Sequence, residues 1–106
     1  MAKAITLDEL KNLIDKGEDF TLLDVRDTPE YEKKHIIYAR HMLISEMDEK
    51  SMSIFSKDKL VVTYSEDFNC PASTIAAEKL EGLGFTDVMD YKGSYKEWLE
   101  AGYPLK

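Results

Sequence analysis

The stretch that most limits what this chain can become is LVVTY, Leu60–Tyr64, at the head of the run LVVTYSEDFNCPASTIAAEKLEGLG. Side chains on a strand alternate between its two faces. A strand apolar or β-branched at every position is therefore buried only if both faces are covered. That requirement points to the centre of a mostly parallel sheet with helices on both faces. A short polar loop follows, and then apolar residues Ala72, Ile75, Ala76, Leu80 and Leu83 recur at helical spacing up to Gly84, a natural stop signal. Ligands of such sheets bind beyond the carboxyl ends of the strands. The loop Ser65–Cys70 is therefore the first place to look for chemistry.

The rest of the chain repeats the alternation. TLDELKNLIDKG predicts a helix, with Thr6 and Glu9 as a capping box, Leu7, Leu10, Leu13 and Ile14 as the apolar stripe and Gly17 as the stop. FTLLDVR predicts a buried strand. TPEYEKKH predicts a short helix with Thr28 as N-cap and Pro29 at the first helical position. IIYARHML reads as extended, SEMDEKSMSIF as a weak helix, FTDVMDY as a strand and SYKEWLEAG as a last helix burying Tyr95, Trp98 and Leu99. Met42, Met47 and Met52 follow no helical face and read as gap-fillers. Strands alternating with helices give an α/β class.

With 106 residues the chain suggests one domain, 1–106, large enough to fold without metals or disulfides. Its formal net charge of -7 argues against general nucleic-acid binding. No apolar run is long enough for a membrane span, and the N-terminus lacks the apolar core of a secretory signal. One cysteine and two histidines make a poor metal set, and a reducing, cytoplasmic setting fits a lone thiol.

Over nearly its whole length the sequence resembles the rhodanese-like domain of the sulfurtransferase family. LLDVRDTPEYEKKHIIYARHM is similar to the family's first signature segment. The run from LVVTYSEDFNCPAS through GFTDVMDYKGSYKEWLEAGYP is similar to its second half. The resemblance implies a five-stranded, mostly parallel sheet flanked by helices on both faces, and no cofactor. It also implies transfer of sulfane sulfur from a donor such as thiosulfate to a thiophilic acceptor through a cysteine persulfide. Partners would be a small sulfur-containing anion or a persulfide donor or acceptor protein.

The family's cysteine directly follows the central strand, and Ser65 stands there in this chain. The loop Glu66, Asp67, Phe68, Asn69 lacks the usual glycine and arginine, and Lys34, Ile37 and Tyr38 replace two glycines and a proline of the first segment. A hydroxyl cannot hold a persulfide. Ser65 as a nucleophile would need an adjacent base, and its plain reading is a polar loop residue bonding nearby amides.

Cys70 is the remaining thiol. With Pro71 at the first helical position it would be the N-cap of the helix containing Ala72 and Ser73, where thiols ionise more readily. Glu66 and Asp67 would oppose that ionisation. Cys70 is therefore either a sulfur carrier or redox-sensitive thiol, or a small packing residue at the helix start. Asp24 and Arg26 lie two apart on one strand face and are expected to pair. Arg26, and likewise Arg40, would alternatively lend positive potential to an anion pocket. His35 and His41 are expected to bond backbone. The alternative to a sulfurtransferase is a catalytically silent module that binds a small anion or a protein partner. A phosphatase of the same fold would need an arginine at the end of the loop, and neither arginine is near.

Overall fold

A computed structural model describes residues 2–106. Its elements are β1 (Lys3–Ala4), α1 (Leu7–Asp15), β2 (Thr21–Asp24), α2 (Thr28–Lys33), β3 (Arg40–His41), a 3-10 turn (Ile44–Glu46), α3 (Glu49–Met52), β4 (Val61–Tyr64), α4 (Ala72–Gly82), β5 (Val88–Asp90) and α5 (Ser94–Glu100). The sheet order is β1-β5-β4-β2-β3. Every strand pair is parallel, so the sheet is wholly rather than mostly parallel. The antiparallel pairing is confined to an isolated bridge between Ile36 and Leu105.

β4 takes the central position that its two-faced burial demanded. The register pairs Leu22 with Val62 and Asp24 with Tyr64 on one face, and Thr21 with Val61 and Leu23 with Thr63 on the other. Leu22, Val62 and Tyr64 pack with Leu10, Tyr91 and Trp98 in the core beneath α1 and α5. Leu23 and Val61 pack with Met47, Met52, Ala76, Ala77 and Leu80 in the core beneath α3 and α4. The fold is thus a three-layer α/β sandwich with helices on both faces.

Several local expectations are met. The Thr6–Glu9 capping box is complete in both directions. Gly17 and Gly84 follow the ends of α1 and α4 with φ of 66° and 97°. Met47 and Met52 fill the core.

Others are corrected. The fifth strand, β1, has two exposed residues, too few to leave a periodic signal. The extended segment around Arg40 forms only two residues of strand, because Tyr38 turns the chain at φ 68°. Asp27 rather than Thr28 is the N-cap of α2, since its carbonyl accepts the first bond of that helix, from Tyr31 N–H. In α4 the buried positions are Ser73, Ala76, Ala77 and Leu80, a face offset from the expected one, and Ile75 is exposed. Small residues on that face let α4 approach β4 closely enough for Thr63 Oγ1 to donate to the Ser73 carbonyl at 2.8 Å. In α5, Trp98 fills the core and Leu99 turns to solvent.

Candidate functional site

β4 delivers Ser65 to the sheet's carboxyl edge. Two neighbours pin its backbone. Its N–H donates to Ser94 Oγ at 3.0 Å, and its carbonyl accepts from Tyr95 N–H at 3.0 Å. Lys96 N–H likewise reaches the Glu66 carbonyl at 2.9 Å. The first amides of α5, left unpaired by the helix itself, thus hold the start of the loop. The Asp67 carboxylate closes the loop's far side, accepting from the N–H groups of Asn69 and Cys70, each at 3.0 Å.

This loop turns Cys70 inward. Its Sγ lies 3.1 Å from Ser65 Oγ, and Ser65 is only 2% exposed. The buried Ser65 hydroxyl is therefore in hydrogen-bond contact with the thiol. Burial works against the thiolate. The Ser65 hydroxyl and backbone bonds from Ala72 and Glu66 outweigh it, and hold the Cys70 thiol below its ordinary value against the opposing charge of Asp67. The route differs from the one expected. Pro71, not Cys70, is the N-cap of α4, because its carbonyl accepts the first helical bond from Ile75 N–H. Cys70 precedes the helix, and the loop itself supplies its donors.

Asp24 and Arg26 form a closed pair. The guanidinium donates from Nε to both carboxylate oxygens at 3.1 Å and from Nη2 to Oδ2 at 2.8 Å. Nη2 also meets the Lys34 carbonyl at 2.5 Å, and Nη1 reaches Glu66 at 3.4 Å. The guanidinium carbon lies 4.1 Å from the Tyr95 ring centre. Asp24 also accepts from Tyr64 Oη at 2.5 Å. Glu66 is thus aimed at Arg26.

A hollow of about 240 Å³ opens beside the thiol, lined by Val25, Arg26, Asp27, Glu30, Ser65, Glu66, Cys70 and Ala72. The structure brings Cys70, Ser65, Glu66, Ala72 and Arg26 to this hollow. It does not bring Arg40 there, whose guanidinium lies over the Phe55 ring. Ser73 is buried against β4, while Phe68 and Asn69 stand exposed at the crest of the loop, with Lys92 over the Phe68 ring. His41 meets the Arg26 carbonyl at 2.7 Å and His35 the Tyr31 carbonyl at 2.8 Å, and neither lines the hollow. Among the described residues no cluster of His, Cys, Asp or Glu is placed to hold a metal ion, and no helix is long and apolar enough to cross a membrane.

Sequence reasoning missed Ser94, whose positive φ of 62° and paired hydroxyl hold the loop. It also missed Asp27 and Glu30, which α2 brings over the hollow from a distant part of the chain. Nothing local marks either role.

A wholly parallel sheet with helices on both faces and a polar loop beyond its central strand defines an α/β sandwich whose candidate site lies at the carboxyl edge of the sheet. The chain belongs to the rhodanese-like domain family, whose description matches residues 6–101. It is 32% identical over 83 residues to a thiosulfate sulfurtransferase, GlpE, of Coxiella burnetii, covering 78% of this chain and 75% of that one. It is 27% identical over 94 residues to YrkF of Bacillus subtilis (strain 168), a proposed sulfur carrier protein. That match covers 89% of this chain, but the chain spans only 49% of that relative. The crystal structure of the BH2092 protein from Bacillus halodurans superposes with a TM-score of 0.93 at 28% identity, covering 99% of this chain and 77% of that one.

Proposed function

We propose that this domain is a sulfurtransferase-type module that carries sulfane sulfur as a persulfide on Cys70. The observation that carries the reading is the 3.1 Å contact between Ser65 Oγ and Cys70 Sγ inside the loop. In this reading Ser65, at the position where the family's cysteine follows the strand, supports a thiolate five residues further on. The Cys70 thiolate attacks the sulfane sulfur of a donor. A new sulfur–sulfur bond forms to Sγ, the donor's own bond breaks, and its electron pair leaves with the remainder of the donor. A thiophilic acceptor then removes the added sulfur and restores the thiolate. The names of GlpE and YrkF agree with this chemistry for those proteins. A lone carrier thiol also implies a reducing compartment, for which the cytoplasm is the natural setting.

The test is intact mass after incubation with thiosulfate and, separately, with small organic persulfides. Gain of one sulfur atom, removable by cyanide and absent from Cys70→Ala, is the expected result. A chain that gains sulfur from no donor would instead be a silent rhodanese-like module that binds a ligand or partner.

A further inference from the structure

We infer that the donor accepted at Cys70 bears positive charge, or none, next to its sulfane sulfur, and that anionic donors are turned away. The inference rests on the reading of Cys70 as the sulfur carrier and names the substrate class of that site.

The hollow beside the thiol is lined by one cationic group, Arg26, and three carboxylates, Asp27, Glu30 and Glu66. The charge of Arg26 is already met by the buried Asp24 carboxylate at 2.8 Å. Counting Asp24, one guanidinium faces four carboxylates, a formal balance of -3. No guanidinium face is left free for the bidentate grip that an oxyanion requires. Lys33 and Lys34 line an adjoining hollow rather than the one that Cys70 lines. On the other side of the loop, a second depression carries Asp67, Glu97 and Glu100 against Lys96. A dianion entering the hollow that Cys70 lines therefore meets net negative charge, whereas an ammonium group finds carboxylates.

The step balances without a further reagent. The thiolate takes the terminal sulfur of a persulfide R–S–SH, the proton stays on that sulfur, and R–S⁻ leaves with the electron pair.

Three probes separate the possibilities: thiosulfate, glutathione persulfide and cysteamine persulfide. Each is followed by the rate at which Cys70 gains sulfur, at low and high salt. Cysteamine persulfide is expected to load the native protein fastest and to slow with added salt, while thiosulfate loads slowly and quickens with salt. In Glu30→Gln and in Asp27→Asn, thiosulfate, with two charges, should load faster by more than five-fold, and cysteamine persulfide, with one, should load about five-fold more slowly. That is the size expected for unit charges roughly 4 Å apart in water. Thiosulfate loading as fast as cysteamine persulfide, unmoved by salt or by either variant, would overturn the inference and leave the carrier reading standing. If none of the probes loads Cys70, the carrier reading falls and the inference with it.

Discussion

The Ser65 hydroxyl and the Cys70 thiol lie 3.1 Å apart, although five residues separate them in the chain. Their proximity makes the serine a partner of the thiol instead of a rival to it. The bond favours the charged form of Cys70, because a hydroxyl donates more strongly to a thiolate than to a thiol.

Cys70 should therefore react with iodoacetamide at lower pH than an ordinary thiol, with rate rising through its depressed pKa. Ser65→Ala removes one donor, so its rate–pH curve should move to higher pH, and reaction at neutral pH should slow. A folded-state pKa below the unfolded value means that the thiolate adds stability above the unfolded pKa. That contribution fades as pH falls through the folded value. An unchanged curve in Ser65→Ala would remove the serine from the mechanism.

Ser65→Cys should place two thiols in contact inside one short loop. Mild oxidation is expected to close them into a disulfide within the chain, read as the loss of both titratable thiols with no dimer formed. Under reducing conditions both thiols should titrate.

Arg26→Met should be strongly destabilising. Asp24 is wholly buried and would lose its main ion-pair partner. Such a change costs about 3–5 kcal/mol, measurable by urea unfolding. The double variant Asp24→Asn with Arg26→Met should lose less than the sum of the two single losses, because the stranded carboxyl is gone.

Tyr64→Phe keeps the ring but removes a hydroxyl that donates to Asp24 at 2.5 Å and accepts from Ile36 N–H at 3.1 Å. Burial, reinforced by Asp24, keeps that phenol protonated throughout the working pH range. Two buried polar groups are left short of a partner, at a cost of about 1–3 kcal/mol. Thermal unfolding checks it. The midpoint should fall while the Cys70 alkylation profile stays in place.

Gly84→Ala should lower stability by about 1 kcal/mol or more, because φ of 97° is unfavourable for any residue with a Cβ. Lys57 leaves ordinary contact room there, so the loss would reflect backbone strain rather than a clash. Calorimetry of the single variant reads it directly.

The sequence alone was enough for the class and the layers. LVVTY needed cover on both faces, and that requirement places β4 mid-sheet. The Thr6–Glu9 box and the Asp24–Arg26 pair are local, so spacing and alternation reveal them. The short pieces were only partly legible: β1 leaves no signal, and β3 keeps two residues of a segment that reads as extended, each held by its neighbours and not by a pattern of its own. The buried faces of α4 and α5 also depended on packing. Ile75 and Leu99 are apolar enough for a core, but small residues on α4 and the bulk of Trp98 on α5 decided which side turned inward. At the site, the sequence supplied one thiol and one misplaced serine. Only the tertiary structure decided that they touch, that Glu66 faces Arg26, and that α2 sets Asp27 and Glu30 over the hollow. These relations span up to 40 residues of chain, and their geometry is set by how the helices and loop pack against the sheet edge, which no local pattern records.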